Sequence, residues 1–260
     1  MPTRVELAVE GPVARVSFVT ENGVHVFSQG TRAELGDVLA ELEDCDDLDV
    51  VVFQSEGRTF IAGADIHELA TLNYATGEHV AREGQALMKR IAELRPVTLC
   101  AVHAACAGGG CELALACDLR MAAASARIGL PEVSLGLLPG WGGTVRATRL
   151  FGGAVARRMV LTGELFPAEA ALRLGIVDSV TPDDDFRAAV EERTALLLSR
   201  GPHAQQTAKR LIYALEGGEG LAAFAREAQL FGKCCGDAQS KEGTAAFLEK
   251  RKPMWHSVEG

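Results

Sequence analysis

The sequence is short of positive charge and of aromatic side chains. Its 260 residues include 26 lysines and arginines against 35 aspartates and glutamates, so the formal net charge is −9, and only 5% of the residues are aromatic. A surface that binds nucleic acid needs a basic face, so this balance argues against a nucleic-acid partner. Because glycine is frequent (28 residues), tight turns and close backbone approaches should be common.

Long apolar runs are also missing. No run approaches the ~20 apolar residues that are needed to cross a bilayer, so we expect no membrane segment. The first residues, Met-Pro-Thr-Arg-Val-Glu, lack the apolar stretch of a secretory signal. We therefore expect a cytoplasmic protein.

Patterns that would indicate a metal, nucleotide or serine-nucleophile site are absent. None of the seven cysteines forms a Cys-x-x-Cys pair, and the six histidines share no ligand-like spacing, so we expect no metal. The sequence has no Gly-x-x-x-x-Gly-Lys-Ser/Thr loop and no Gly-x-Ser-x-Gly turn. Four cysteines fall in an apolar stretch and should be buried as small hydrophobic side chains: Cys100, Cys106, Cys111 and Cys117.

The first half of the chain alternates between strand and helix patterns, which favours an α/β fold. Hydrophobic residues make up 48% of the sequence, enough for a large core. The predicted strands are Arg4–Val9, Val13–Phe18, Val50–Phe53, Val97–Val102, Leu119–Ala122 and Arg127–Ile128. The predicted helices are Thr31–Glu43, Tyr74–Leu94 and a helix that Gly108-Gly109-Gly110 opens and that runs to Ala116.

From Gly152 onward the sequence changes to helical patterns that are separated by short breaks containing glycine or proline. We predict a helical extension packed on the α/β core, with one isolated strand at Val177–Val180. The predicted helices are Ala154–Leu161, Pro167–Leu174, Asp185–Ser199, Pro202–Glu216, Leu221–Lys233 and Ser240–Lys250.

Two glycine-containing stretches follow predicted strands and could carry chemistry. In Thr59–Ile66, small residues allow a ligand to approach the backbone and Asp65 can cap a helix, although a plain strand-to-helix turn would look the same. In Ala107–Ala114, the triple glycine would present unpaired N–H groups at a helix N-terminus, which stabilise developing negative charge. Glu112 lies in the first turn of that helix, where it could act in catalysis or only interact with the helix dipole.

A third stretch, Gly129–Val133 followed by Gly136–Gly143, contains another glutamate. Glu132 lies between apolar neighbours, so its carboxyl group could be desolvated. Desolvation would raise its pKa and suit it to acid–base chemistry, whereas an exposed loop glutamate would have no such role.

These stretches, in this order, resemble the signatures of the enoyl-CoA hydratase/isomerase (crotonase) superfamily. The first three signatures are similar to Phe60–Ile66, Ala101–Asp118 and Pro131–Thr144, and Glu242–Pro253 is similar to the family's C-terminal helix. The resemblance covers nearly the whole chain. It implies an α/β fold in which a spiral of ββα turns, residues 1–200, precedes a C-terminal helical trimerisation region, residues 201–260. A homotrimer or hexamer is therefore expected.

The same resemblance implies an acyl-CoA thioester substrate and no cofactor, because the CoA belongs to the substrate. The backbone N–H groups of Ala62 and Gly109 would form an oxyanion hole for the thioester oxygen. Glu112 would activate a water molecule, and Glu132 would protonate C2. Further substrate contacts would come from Arg58, toward the CoA phosphates, and from Ala64, Asp65, Ile66, Gly108 and Gly140.

Having both Glu112 and Glu132 favours a hydro-lyase that interconverts trans-2-enoyl-CoA and 3-hydroxyacyl-CoA, since the addition of water needs both a base and an acid. A Δ3–Δ2-enoyl-CoA isomerase of the same fold needs only one carboxylate and is the first alternative. A non-catalytic acyl-CoA-binding protein is the second. The acyl chain and the pathway, whether the β-oxidation of fatty acids or another, are left open.

Overall fold

Two β-sheets form the framework of the computed structural model, which describes residues 2–216 and 238–255. The strands are β1 (Arg4–Glu10), β2 (Val13–Val19), β3 (Val50–Ser55), β4 (Thr59–Ile61), β5 (Val97–Val102), β6 (Ala105–Ala107), β7 (Leu119–Ala123), β8 (Arg127–Gly129), β9 (Phe166–Pro167) and β10 (Ser179–Thr181). The larger sheet has the order β1-β2-β3-β5-β7-β10, and the smaller sheet has the order β4-β6-β8-β9. Only the β1–β2 and β8–β9 pairs are antiparallel among these strands.

Helices follow the strands and cover the sheets. They are α1 (Gln29–Asp44), α2 (Ile66–Leu69), α3 (Tyr74–Glu93), α4 (Gly109–Ala116), α5 (Gly143–Thr162), α6 (Ala168–Arg173), α7 (Phe186–Leu198), α8 (Pro202–Glu216) and α9 (Ala238–Leu248). The longer ones start where the sequence supplies a cap: Ser28 accepts a hydrogen bond from Thr31 N at α1, and Asn73 and Thr76 form a capping box at α3.

Successive strands alternate between the two sheets. β3, β5 and β7 lie in the larger sheet, and each is followed by a short strand of the smaller sheet, β4, β6 or β8, and then by helix. Each ββα turn therefore adds one strand to each sheet, as the predicted spiral requires. Because β4, β6 and β8 are parallel, their carboxyl ends meet at one edge of the smaller sheet.

The core lies between the sheets and the helices. Val50–Phe53 is wholly buried, as are all six residues of β5, which explains why both strands have near-continuous apolar sequences. Three phenylalanines, Phe18, Phe27 and Phe60, pack edge to face in this core. The four cysteines expected to be buried are buried, and burial raises the pKa of Cys100, Cys106 and Cys111.

The fold class and the longer elements of the first half are confirmed, with two corrections later in the chain. The strand expected at Val177–Val180 is not isolated, because Ser179–Thr181 pairs in parallel with β7 at the edge of the larger sheet. The helix expected at Ala154–Leu161 begins earlier, at Gly143, and continues past a non-helical Gly152. The helix predicted at Leu221–Lys233 lies outside the described residues.

Among the helices of residues 2–216 and 238–255, none combines the length and the apolar composition that a bilayer-spanning segment requires.

Candidate active site

Three loops come together where the parallel strands of the smaller sheet end. Residues 62–65 follow β4, Gly108 follows β6, and residues 130–132 follow β8. The loops are in contact: a Cβ added to Gly108 would lie 3.6 Å from Gly63 Cα and 3.1 Å from Glu132 Oε1. The three sequence stretches are therefore brought together by strand pairing.

The triple glycine is required by close contacts on each side. Gly108 has a φ of +53°, which favours glycine. A Cβ on Gly109 would lie 2.7 Å from Trp141 Cζ3, and one on Gly110 would lie 2.5 Å from the Ile61 carbonyl oxygen. Helix α4 begins at Gly109, and among the described residues the Gly109 N–H has no hydrogen-bond acceptor. It is available to an oxyanion at a helix N-terminus.

The prediction that Ala62 supplies the second oxyanion donor is wrong. The Ala62 N–H already donates to the His25 carbonyl at 2.8 Å. The neighbouring Asp65 N–H donates to the Phe27 carbonyl at 3.1 Å, whereas the Ala64 N–H between them has no acceptor in the described part of the chain. Ala64 and the preceding Gly63, whose N–H also has no acceptor among the described residues, are therefore the residues of this loop whose amides can pair with that of Gly109.

Glu112 is held by backbone amides. Its carboxyl group is buried, and Oε1 accepts hydrogen bonds from Trp141 N at 2.7 Å and Gly143 N at 2.8 Å. Burial raises the pKa of Glu112, while these two hydrogen bonds and the positive charge of Arg146 act in the opposite direction. The start of α5 thus fixes a glutamate that belongs to α4.

Glu132 has a different environment. It opens a short 3-10 helix, Glu132–Leu135, and its Oε2 atom is buried without a hydrogen-bond partner among the described residues. Burial, followed by the negative charge of Glu112, raises the pKa of Glu132 to about 7. The desolvation that the apolar neighbours of Glu132 indicated is confirmed.

Both glutamates open into one cavity of about 930 Å³. It is also lined by seven other residues that the sequence singled out: Ala62, Ala64, Asp65, Ile66, Gly108, Gly109 and Gly140. Asp65 caps α2 by accepting a hydrogen bond from His67 N at 2.8 Å, as predicted. Arg58 is exposed on the loop beside Gly23 and is not among the described residues that line the cavity.

Sequence reasoning missed Arg146, which donates to the Trp141 carbonyl at 2.9 Å, and the cavity-lining pair of Arg32 and Glu68. Both arginines lie in helices, where a charged residue normally indicates a solvent-facing side. No signal in the sequence distinguished them.

In the part of the chain that is described, no three histidine, cysteine, aspartate or glutamate side chains converge as metal ligands would.

Known proteins resemble this chain in sequence and in fold. The family model described as enoyl-CoA hydratase/isomerase matches residues 9–258. The short-chain-enoyl-CoA hydratase of Clostridium acetobutylicum is 33% identical over 249 residues, 95% of each chain, and the crotonyl-CoA hydratase of Syntrophomonas wolfei is 34% identical over 235 residues, 88% of each. The crystal structure of an enoyl-CoA hydratase from Bacillus anthracis superimposes with a TM-score of 0.92 at 30% identity, covering 98% of this chain and 100% of that one. Fold, site and sequence thus lead to one assignment: the chain belongs to the enoyl-CoA hydratase/isomerase family.

Proposed function

We propose that this protein is an enoyl-CoA hydratase, which reversibly adds water in the syn sense to trans-2-enoyl-CoA and forms 3-hydroxyacyl-CoA. The observation that carries the proposal is the pair of glutamates that open into one cavity beside two available amides. Two carboxyl groups with different environments can supply the base and the acid that hydration needs.

The amides of Ala64 and Gly109 would bind the thioester oxygen. Water attacks C3, and the electrons of the double bond move toward the carbonyl, so negative charge develops on that oxygen. Two fixed N–H donors, one at the N-terminus of α4, stabilise this charge. The loss of one such donor typically costs ~2.7–4 kcal/mol of transition-state stabilisation.

The hydrogen bonds support a division of roles between the glutamates. Burial raises the pKa of Glu112, but two amide donors and the nearby Arg146 offset part of that effect, so we assign Glu112 as the group that accepts a proton from the attacking water. Glu132, with a pKa of about 7 and an unpartnered oxygen, donates its proton to C2. One proton must then pass from Glu112 to Glu132, directly or through solvent, to restore the starting state.

The test is the loss of ultraviolet absorbance of the conjugated thioester with crotonyl-CoA and longer 2-enoyl-CoAs. We expect turnover by the native protein and its near abolition in Glu112→Gln and in Glu132→Gln, since each removes one proton-transfer group. Glu93→Gln is the matched control, because Glu93 is exposed and pairs only with Lys89 among the described residues.

Three results would contradict this function. A folded protein that hydrates none of these substrates is not a simple enoyl-CoA hydratase. Conversion of 3-enoyl-CoA without hydration would identify an isomerase, and tight binding without turnover would identify an acyl-CoA-binding protein.

We also propose that Arg58 contacts the CoA phosphates and that the chain forms a homotrimer or hexamer in the cytoplasm. Exposed apolar side chains on α5 and α8, namely Leu161, Ile212 and Leu215, support an oligomer. Light scattering on the purified protein tests the assembly.

For Arg58, an Arg58→Gln variant should raise KM for the CoA ester and leave kcat unchanged.

A further inference from the structure

A buried arginine lines the same cavity as the glutamates. The Arg32 side chain, from α1, is only 8% exposed. Among the described residues it is the only lysine or arginine that lines the cavity, whereas the other charged lining residues are carboxylates: Asp65, Glu68, Glu78, Glu112 and Glu132. A lone cation in this position requires an explanation.

The contacts of Arg32 leave most of its guanidinium group unused. Nη1 donates to Glu68 Oε2 at 3.2 Å, longer than the ~2.7–2.9 Å of a strong charge-assisted hydrogen bond. Glu68 Oε1 is occupied separately, by Gln29 N at 2.7 Å. Arg32 Nε is buried without a partner, and in the described part of the chain no acceptor is bound to Nη2. The Nε atom is enclosed and out of reach of a ligand, so Nη2 is the donor to which an acceptor from outside the chain would bind.

The position of Arg32 relates it to the acyl group. Its guanidinium carbon lies 5.9 Å from the centre of the Trp141 ring, and the same ring contacts Gly109 closely enough that a Cβ there would lie 2.7 Å from it. Arg32 is therefore one indole ring away from the proposed oxyanion hole. The apolar side chains of Leu69 and Leu72, which are near Glu68 in the sequence, also line the cavity.

We propose that Arg32 determines acyl specificity by binding an oxygen atom that the acyl chain carries beyond the reacting double bond. The substrate class is then a 2-enoyl-CoA with an oxygen-bearing acyl chain, ending in a hydroxyl or a carboxylate, rather than a plain alkyl chain. Both groups offer the acceptor that the guanidinium lacks. The proposal rests on the hydratase function proposed above and adds its substrate class.

The experiment compares kcat/KM of the purified full chain on three matched six-carbon substrates: trans-2-hexenoyl-CoA, its 6-hydroxy analogue, and trans-2-hexenedioyl-CoA, which ends in a carboxylate. We expect at least one oxygen-bearing substrate to be preferred over the alkyl chain. Arg32→Met should lower that preference roughly tenfold or more, the usual effect of removing a hydrogen bond from a charged donor. The kcat/KM values for the hydroxyl and carboxylate substrates show which of the two groups the site selects.

Two further variants separate specificity from structure. Glu68→Gln can still accept the Gln29 N–H and removes the only anion paired with Arg32 among the described residues, so it should increase the preference for the carboxylate. Arg4→Met is the matched control, because Arg4 is exposed and pairs with Glu6, neither of which lines the cavity, and it should leave the ratio unchanged.

Two results would overturn the proposal. In one, Arg32→Met lowers kcat/KM for all three substrates equally, or only the melting temperature, which would make Arg32 a purely structural partner of Glu68. In the other, the native protein prefers the alkyl chain. If no substrate is hydrated at all, the hydratase function fails, and calorimetric binding of hexanoyl-, 6-hydroxyhexanoyl- and adipyl-CoA to the native protein and Arg32→Met still tests the selectivity of Arg32.

Discussion

At the residue scale, the two glutamates share a cavity but differ in what surrounds them, and this difference should appear in the pH dependence of the reaction. Glu132 must be protonated to act as the acid, and its pKa is raised to about 7 by burial and by Glu112. We therefore predict that kcat/KM for hydration falls as the pH rises through about 7. Initial rates with crotonyl-CoA between about pH 5.5 and 9 check this, and a profile that stays flat to pH 9 would assign the acid elsewhere.

Arg146 should act through Glu112. Its Nη1 atom holds the Trp141 carbonyl at 2.9 Å, and the amides of Trp141 and Gly143 hold Glu112. Arg146→Gln removes the positive charge that favours ionised Glu112, so the acidic limb of the kcat/KM profile should move to higher pH. We expect kcat to fall roughly tenfold, as for a lost charge-assisted hydrogen bond.

Arg149→Gln is the control for that variant, because Arg149 is an exposed arginine on the same helix. An Arg146→Gln profile that keeps its shape while the melting temperature falls would show a structural role only.

The loop of residues 62–65 shows what sequence reasoning could and could not provide at this scale. The motif located the stretch, and both glutamates that the sequence singled out line the cavity, while their catalytic roles stay predictions. It could not identify the donor, because a neighbouring segment takes up two amides of the loop: His25 and Phe27 accept from Ala62 and Asp65. Nothing in residues 59–66 encodes that partner.

At the scale of elements, prediction succeeded where a pattern was long enough. The apolar runs of β3 and β5 and the amphipathic α3 were found at nearly their observed bounds. Strands β4 and β6 have only three residues each, too few to show a period, and they exist because they pair with each other. The start of α5 was missed because Gly142-Gly143 resembles a loop, whereas in the fold the Gly143 amide is occupied by Glu112.

The first turn of α4 should tolerate no side chain at Gly109. A methyl group there would lie 2.7 Å from Trp141 Cζ3 and 3.3 Å from Phe27 Cδ2, so either the helix start or the indole must move. The start of α4 and Trp141 both carry groups that the proposed reaction uses. We therefore predict that Gly109→Ala lowers kcat by about a hundredfold or more, as loss of an oxyanion donor does.

Steady-state kinetics and circular dichroism check this variant. Gly30→Ala is its control, since a Cβ at Gly30 meets nothing nearer than 3.7 Å. A Gly109→Ala protein with native kcat would show that this amide is not part of the oxyanion hole.

At the scale of the whole molecule, a buried ion pair attaches α8 to the larger sheet. Lys209 Nζ binds Asp118 Oδ2 at 2.7 Å and the Pro96 carbonyl at 2.8 Å, and Asp118 also accepts from the Thr98 amide at 2.7 Å. Removing one partner of a buried pair typically costs ~3–5 kcal/mol, because the other charge stays buried. We predict that Lys209→Met lowers the free energy of unfolding by about that amount.

Urea unfolding monitored by circular dichroism measures the change, with the exposed Lys89→Met as control. A loss below about 1 kcal/mol would place this pair among ordinary surface ion pairs.

The boundary between residues 1–200 and 201–260 stays a prediction, since the link through Lys209 ties the first helix of the second segment to the core.

The alternation of strands between two sheets has a consequence for how such a protein can change over evolutionary time. The acid–base groups belong to the second and third turns of the spiral, while Arg32 and Glu68 lie on α1 and α2, which precede those turns in the chain. Substitutions in the early helices can therefore alter which acyl group is accepted without disturbing the register of β6 and β8. On the roles proposed for Arg32 and the glutamates, substrate choice and chemistry depend largely on separate stretches of one chain, which meet at Trp141.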